Sequence, residues 1–281
     1  MRVVLQPRDY EIFTLFLTLR LISAADIYVL VGQPFEQPFV LWRRLNRLYH
    51  AGYLTRPPEQ QWRLRKSPGN TELVYSLGNK GAQALARLGY KLPKIDWDQK
   101  AKEWKPYSFD HPLLVSRFLT CTSLGVQRTP GLEIVELIPE GHFRDTVTFF
   151  DGKEEVTLPL KPDATLVIED RRNGQTDMPL QRTTFKQSSF YKKLVAYLHY
   201  WLQGDRFKER LGVDDFVVLT VGEDEAASLI LRDFAQEADE EKRGTSLFWF
   251  SSLPALSREH PEKVLLDDIW TTAAGERGSI F

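Results

Sequence analysis

The chain has 281 residues, 42% of them hydrophobic, so it is long enough for more than one domain with a buried core. Its formal net charge of −1 excludes a uniformly basic protein that coats nucleic acid. Cys121 is the single cysteine, which excludes a disulfide framework and a cysteine-based zinc site. No signal peptide and no membrane-length apolar run is present, so a cytoplasmic protein is expected.

The net charge hides a difference between the two ends of the chain. Residues 1–92 contain 13 Lys and Arg against 6 Asp and Glu, which gives +7. The remaining residues contain 24 against 32, which gives −8. A basic module joined to an acidic one is typical of a DNA-binding domain with a separate effector or oligomerisation domain.

The first residues predict two short helices. Pro7 suits the first turn of a helix that continues over residues 9–20 with apolar side chains on one side. Ser23 offers its hydroxyl as an N-cap, and Asp26 follows three residues later. A second short helix should therefore run to about Val31.

Residues 37–51 predict a third helix with two different faces. Leucines recur at i, i+4 and i+7 on one face, and arginines at i and i+4 lie on another. An arginine-bearing face that leads through a glycine into a strand is typical of a winged-helix recognition helix. For a lone helix, an ordinary solvated basic face would be favoured, but the flanking elements reverse that preference. The leucines are Leu41, Leu45 and Leu48.

A β-hairpin after the third helix completes the order of a winged helix-turn-helix domain. Strands are predicted over residues 53–56, 62–66 and 72–77. The turn between the last two strands has the sequence Ser-Pro-Gly-Asn, and it forms the tip of the predicted wing.

The expected DNA contacts divide between the third helix and the wing. Arginine can bind guanine through two hydrogen bonds in the major groove, and asparagine and glutamine can add base contacts. Cations on the wing are expected to follow the adjacent phosphate backbone. The helix residues are Gln37, Arg43, Arg44, Asn46 and Arg47, and the wing residues are Arg63, Arg65 and Lys66.

The rest of the chain predicts a linker and a mixed α/β domain. Residues 93–108 are polar and flanked by proline, and they should connect a DNA-binding domain over 1–92 to a second domain over 109–281. A helix is expected to begin at Asp110-His111-Pro112. Strands come next, and helices then alternate with strands. Strands are predicted over 133–137, 147–150, 156–160, 164–168, 215–221 and 246–250, and helices over 189–203 and 223–237.

With both halves in view, the chain resembles the replication-relaxation family of bacterial plasmid and mobile-element proteins. The resemblance rests on the winged helix and on four short motifs in matching order. It implies an α/β (α+β) fold in which a winged helix-turn-helix is followed by a mixed-sheet, restriction-endonuclease-like domain of the PD-(D/E)xK type. The motifs are Asp110-His111-Pro112-Leu113, Lys161-Pro162-Asp163-Ala164, Lys193 with Tyr197, and Ile269-Trp270.

The resemblance also implies where a nuclease site would lie and what it lacks. Such a nuclease holds a divalent cation between acidic residues on two neighbouring strands, with a lysine nearby. Asp163 fills the first acidic position, whereas Pro179 and Gln181 stand where the family places the acids of the next strand. One carboxylate is a poor Mg²⁺ site, so a degenerate domain without a cofactor is expected. Residues that could restore catalysis around Asp163 are Glu133, Glu136 and Lys193.

Two functions from different classes remain open. The favoured one is a sequence-specific double-stranded DNA-binding protein of a plasmid or mobile element, acting in replication, mobilisation or transcriptional control. Its degenerate domain would form a homodimer or bind a protein partner of a replication or mobilisation complex. The alternative is a metal-dependent endonuclease or nickase that acts on element DNA with Mg²⁺. The two functions differ in whether a second carboxylate lies beside Asp163, because the endonuclease needs one and the DNA-binding protein does not.

Overall fold

The structure is a computed structural model, and the residues it describes form two compact units with helices and sheets, which makes this an α/β protein. The N-terminal unit is Met1–Thr120 and the C-terminal unit is Cys121–Phe281. The described residues are 3–31, 37–58, 60–61, 72–172, 179–182, 187–239, 241–242, 244 and 246–281. Within them, no helix combines the length and apolar character needed to cross a membrane.

Three helices open the N-terminal unit: α1 (Pro7–Leu15), α2 (Ala24–Val31) and α3 (Pro38–His50). The α2 start is confirmed, because the Ser23 hydroxyl accepts the Asp26 N–H at 3.0 Å and donates to the Asp26 carboxylate at 2.8 Å. Helix α1 is shorter than predicted. After its last residue the chain passes through i→i+3 turns into a strand that the sequence did not predict.

A small antiparallel sheet packs beside these helices. Its strands are β1 (Ile22–Ser23), β2 (Leu54–Thr55) and β3 (Val74–Leu77), in the order β1-β3-β2. The predicted strands over 53–56 and 72–77 are therefore confirmed with shorter bounds. The predicted strand over 62–66, with its wing residues Arg63, Arg65 and Lys66, lies outside the described residues.

Glycines shape the connection between α3 and this sheet. Gly52 adopts a φ of +81°, which lets the chain leave α3 and enter β2 within a few residues. Helix α4 (Asn79–Arg87) begins just after β3. A Cβ atom on Gly81 would lie 2.3 Å from the Tyr53 carbonyl oxygen, so only glycine permits this close approach.

The predicted linker, residues 93–108, contains a short helix. Helix α5 (Trp97–Lys102) lies within it, capped by Asp96, whose carboxylate accepts the Gln99 N–H at 2.9 Å. Asn79 ties α5 to α4, because its side-chain oxygen accepts the Trp97 N–H at 2.8 Å. Residues 93–108 therefore form part of the N-terminal unit.

The next helix, α6 (Pro106–Arg128), begins earlier than the predicted Asp110-His111-Pro112 start and contains Pro112 in its interior. Two contacts explain why its first half belongs with the N-terminal unit. Ser116 donates a hydrogen bond to the Leu21 carbonyl, and Arg117 donates to the Asp26 carboxylate at 2.9 Å. The units consequently divide after Thr120, twelve residues later than the 108/109 boundary expected from the sequence.

The C-terminal unit is built on a seven-stranded mixed sheet with the order β12-β11-β10-β9-β8-β7-β4. The pairs β8–β9 and β9–β10 are parallel, and the other neighbours are antiparallel. A separate hairpin pairs β5 with β6. The strands are β4 (Leu132–Pro139), β5 (Asp145–Phe150), β6 (Glu155–Leu160), β7 (Ala164–Asp170), β8 (Pro179–Arg182), β9 (Val217–Gly222), β10 (Phe248–Ser252), β11 (Trp270–Thr272) and β12 (Arg277–Gly278).

Helices cover this sheet and close its core. The long helix α7 contacts the β5–β6 hairpin, and α9 connects parallel strands β9 and β10 and packs on both. Buried aromatic side chains fill the space between these layers, among them Phe190, Phe216 and Phe248. The helices are α7 (Gln187–Gln203), α8 (Asp205–Leu211), α9 (Glu225–Ala238) and α10 (Lys263–Leu266), with a 3₁₀ turn at Leu253–Ala255.

An ion pair joins α1 to α3 in the N-terminal unit. The Asp9 side chain is fully buried, and the Arg44 side chain is 11% exposed. Arg44 Nε donates to one Asp9 oxygen at 2.8 Å, while Nη2 donates to the other and to the Val4 carbonyl at 2.9 Å. This hydrogen bonding raises the pKa of Arg44, so its guanidinium stays charged. The pair fixes the rotation of α3 relative to α1.

We expect Arg44→Ala to lower the free energy of unfolding of the N-terminal unit by about 3 kcal/mol, because it leaves the Asp9 carboxylate buried without its cation. Hydrogen exchange of peptides from α1 and α3 measures this change locally. Arg43→Ala is the matched control, since the neighbouring side chain is exposed and should change exchange little. Equal effects of the two substitutions would contradict the structural role of Arg44.

Candidate nucleic-acid interface

Helix α3 has one buried face and one solvent face. Leu41, Leu45 and Leu48 are fully buried, as their spacing predicted. The opposite face is exposed over the whole length of the helix, including two large aromatic side chains that are 52% exposed. The exposed residues are Gln37, Pro38, Phe39, Val40, Trp42, Arg43, Asn46, Arg47 and His50.

Two of the three predicted arginines point their charge to solvent. Within the described part of the chain, the side chains of Arg43 and Arg47 make no hydrogen bond or ion pair. The Arg43 guanidinium lies over the Phe39 ring, 5.3 Å from its centroid. Arg44 differs, because its guanidinium binds Asp9 and is not available for a base. Arg44 is therefore unavailable for the base contact predicted from the sequence, whereas for Arg43 and Arg47 that contact stays a prediction.

Arg56 is a residue of this surface that the sequence did not single out. It follows β2, and its Nη2 donates to Asn46 Oδ1 at 3.0 Å and to the Tyr75 hydroxyl at 2.7 Å. Its guanidinium lies over the rings of Tyr49 and Tyr75, 4.4 Å and 4.9 Å from their centroids. Arg56 thus orients the Asn46 amide on the exposed face of α3. The signal available in the sequence was an arginine just after β2, close to Tyr49 in the last turn of α3.

A cleft lies between the beginning of α1 and the flank of α3. Its volume is about 240 Å³, and four arginines contribute to its walls. Arg8 on α1 was not predicted from the sequence, because nothing in the spacing of α1 relates it to α3. The lining residues are Gln6, Arg8, Val40, Arg43, Arg44 and Arg47.

In the C-terminal unit, the strand that follows Asp163 and the strand that carries Pro179 and Gln181 are neighbours. Asp163 is buried and directly precedes β7. Strand β8 pairs antiparallel with β7, with Gln181 opposite Thr165 and Pro179 opposite Val167. Pro179 is the first residue of β8 and precedes the pairing with β9, so its missing N–H interrupts no parallel ladder. Strand β8 therefore carries proline and glutamine at the two positions where the predicted nuclease site would need acidic residues.

The acids that could have completed the site lie elsewhere along the sheet. Glu133 pairs with Glu169, six residues beyond Asp163, which is about 20 Å along a strand. Glu136 pairs with Val167, four residues beyond, or about 13 Å. The Arg171 guanidinium forms ion pairs with the carboxylates of Glu133 and Glu169, at N–O distances of 2.6 Å and 2.8 Å. Neither Glu133 nor Glu136 is therefore brought to Asp163.

Helix α7 places Lys193 and Tyr197 one turn apart on the side of the C-terminal core. Lys193 is half-buried and Tyr197 is fully buried. Burial raises the pKa of Tyr197 far above its ordinary value, and the negative charge of nearby Asp163 raises it further. The Tyr197 hydroxyl makes no hydrogen bond in the described part of the chain. Among the described residues, no group of three or more His, Cys, Asp or Glu side chains could hold a metal.

Comparison with known proteins gives one result that spans both units. A model of the replication-relaxation family matches residues 17–219, more than two thirds of the chain. The matched range includes α3, β7, β8 and α7, and hence the exposed arginines and Asp163. No curated protein and no solved structure gives a match. The chain belongs to the replication-relaxation family, which points to a role in the replication or mobilisation of a plasmid or mobile element.

Proposed function

We propose that this protein binds double-stranded DNA at specific sequences, with the N-terminal unit as a winged helix-turn-helix and α3 as its recognition helix. The observation that carries the proposal is the solvent face of α3. It presents Arg43 and Arg47 without acidic partners in the described residues, on a helix whose other face is fully buried.

The topology around α3 supports this assignment. Helices α1, α2 and α3 precede strands β2 and β3, and the short β1 joins them in the sheet order β1-β3-β2. A winged helix uses this arrangement to support its third helix from behind, leaving the opposite side free to enter the major groove. The rigid backing matters, because base contacts require a helix that does not rotate on its support.

The side chains on the exposed face suit base recognition. Arg43 can bind guanine through two hydrogen bonds, and Asn46 can bind adenine in the same way. The Phe39 ring, on the same face as Arg43, suits contact with a thymine methyl group. Phosphate contacts would come from the remaining cations, including the predicted wing residues.

For the C-terminal unit, we propose a degenerate nuclease-like domain that serves dimerisation or binds a protein partner. The positions of the acids support this view. Asp163 lies beside a strand that carries Gln181, while Glu133 and Glu136 pair farther along β7. Family membership then suggests that the DNA bound is that of a plasmid or mobile element.

We expect Arg43→Ala in the full chain to weaken binding to a selected duplex by about tenfold or more and to relax base preference at one position. Fluorescence anisotropy with the selected duplex and with single-base variants measures both effects. Arg87→Ala is the matched control, because Arg87 is an exposed arginine on α4 of the same basic unit. If the two variants lose affinity equally at every duplex, α3 does not read bases.

We expect no DNA cleavage above a heat-treated control when the protein is incubated with supercoiled, linear or single-stranded DNA and Mg²⁺ or Mn²⁺. One carboxylate leaves a cation held mostly by water, so the cation cannot be positioned against a phosphate. Gel electrophoresis detects nicking and linearisation. Nicking that Asp163→Ala abolishes, and Glu133→Ala leaves intact, would establish the metal-dependent nickase instead.

A further inference from the structure

Two large aromatic side chains, Phe39 and Trp42, lie on the solvent face of α3 close to its N-terminus. Each is 52% exposed, and Val40 between them in sequence is exposed as well. Apolar surface left in water is unfavourable, and a group of exposed apolar side chains on one helix face is typical of an interaction site. The pair therefore indicates a ligand that offers apolar groups to α3.

The helical repeat places both rings opposite the buried leucines of α3. Because each residue advances about 100° around a helix, Phe39 lies near the middle of the solvent face, with Trp42 on one side of it and Arg43 on the other. The Arg43 guanidinium lies 5.3 Å from the centroid of the Phe39 ring, so these two side chains form one surface. The helix thus presents apolar and cationic groups side by side.

This combination of groups favours a DNA duplex over an apolar protein surface. An apolar partner that covered both rings would also remove the Arg43 side chain from water, and that side chain has no carboxylate partner among the described residues to offset the cost. The major groove suits both kinds of group, because guanine offers acceptors to arginine and thymine exposes its C5 methyl group to apolar side chains.

We propose that Phe39 and Trp42 each contact the C5 methyl group of a thymine, and that the bound DNA site carries these thymines on neighbouring base pairs. Three residues advance about 4.5 Å along a helix axis, which is close to the roughly 3.4 Å between base pairs. Two rings with this spacing can reach methyl groups one base pair apart when the helix lies along the groove. The inference rests on the proposed DNA binding, and it makes two residues that the sequence did not single out determinants of base preference.

The first test removes methyl groups from the DNA and leaves the protein unchanged, so it does not depend on how any variant folds. The full chain is titrated with a selected duplex in which uracil replaces one thymine at a time, and fluorescence anisotropy measures the affinity. Uracil lacks only the C5 methyl group, so two neighbouring positions should each weaken binding about fourfold, the effect of one buried methyl group. Binding that no single uracil weakens overturns the proposal, while the proposed DNA binding would stand.

The second test assigns each methyl group to its ring by combining variants with the substituted duplexes. Trp42→Ala should weaken binding to the parent duplex by about fourfold or more, and uracil at one of the two positions should then cause no further loss. Phe39→Ala should lose its sensitivity at the other position instead. Tyr90→Ala is the matched control, because Tyr90 is an exposed aromatic residue of the same unit and should keep both sensitivities. If Trp42→Ala stays as sensitive as wild type at both positions, the proposal is overturned.

A third measurement tests whether a second copy of the chain covers the same rings. Analytical ultracentrifugation compares the wild-type chain with Trp42→Ala in the absence of DNA, and both should have the same oligomeric state. A dimer that Trp42→Ala converts to a monomer would place these rings in a protein interface and overturn the proposal. Failure of the wild-type chain to bind any duplex would overturn this inference and the proposed function together.

Discussion

The N-terminal unit depends on the buried ion pair between Asp9 and Arg44. Asp9 is at once the first-turn acid of α1, accepting the Gln6 N–H at 2.7 Å, and the partner of Arg44 on α3. A buried carboxylate tolerates few positions of its cation, so the pair sets how α3 is rotated. That rotation turns three leucines inward and Arg43 and Arg47 outward. Arg44 thereby joins the two helices, while Arg43 and Arg47 stay exposed to solvent.

In the C-terminal unit, strand register decides what chemistry is available. Antiparallel pairing of β4 with β7 puts Glu133 at the far end of the strand from Asp163, and Arg171 binds it there. The neighbouring strand β8 carries Gln181 near the Asp163 end. With this register, neither Glu133 nor Glu136 lies beside Asp163, so no two-acid metal site is assembled from these three residues.

Features that depend on the local spacing of residue types were predicted correctly from the sequence. The buried stripe of α3 and the Ser23 cap followed from spacing and residue type, and both are present. Periodicity could not separate Arg44 from Arg43, because the difference lies in Asp9, 35 residues away in sequence. The α6 start was misplaced for a similar reason. Pro112 suggested a first turn, but Phe109, which precedes it, is buried in a cluster with Leu21 and favours a helix that begins earlier.

The central claim is that Arg44 holds α3 in place while Arg43 and Arg47 face the DNA. Side-chain Nε–Hε resonances of these arginines, assigned by substitution in the full chain and followed by NMR as a selected duplex is added, test it most directly. We expect large shifts for Arg43 and Arg47 and an unchanged Arg44 resonance, since the bond from Arg44 Nε to Asp9 persists. A shift of Arg44 with silent Arg43 and Arg47 resonances would contradict it.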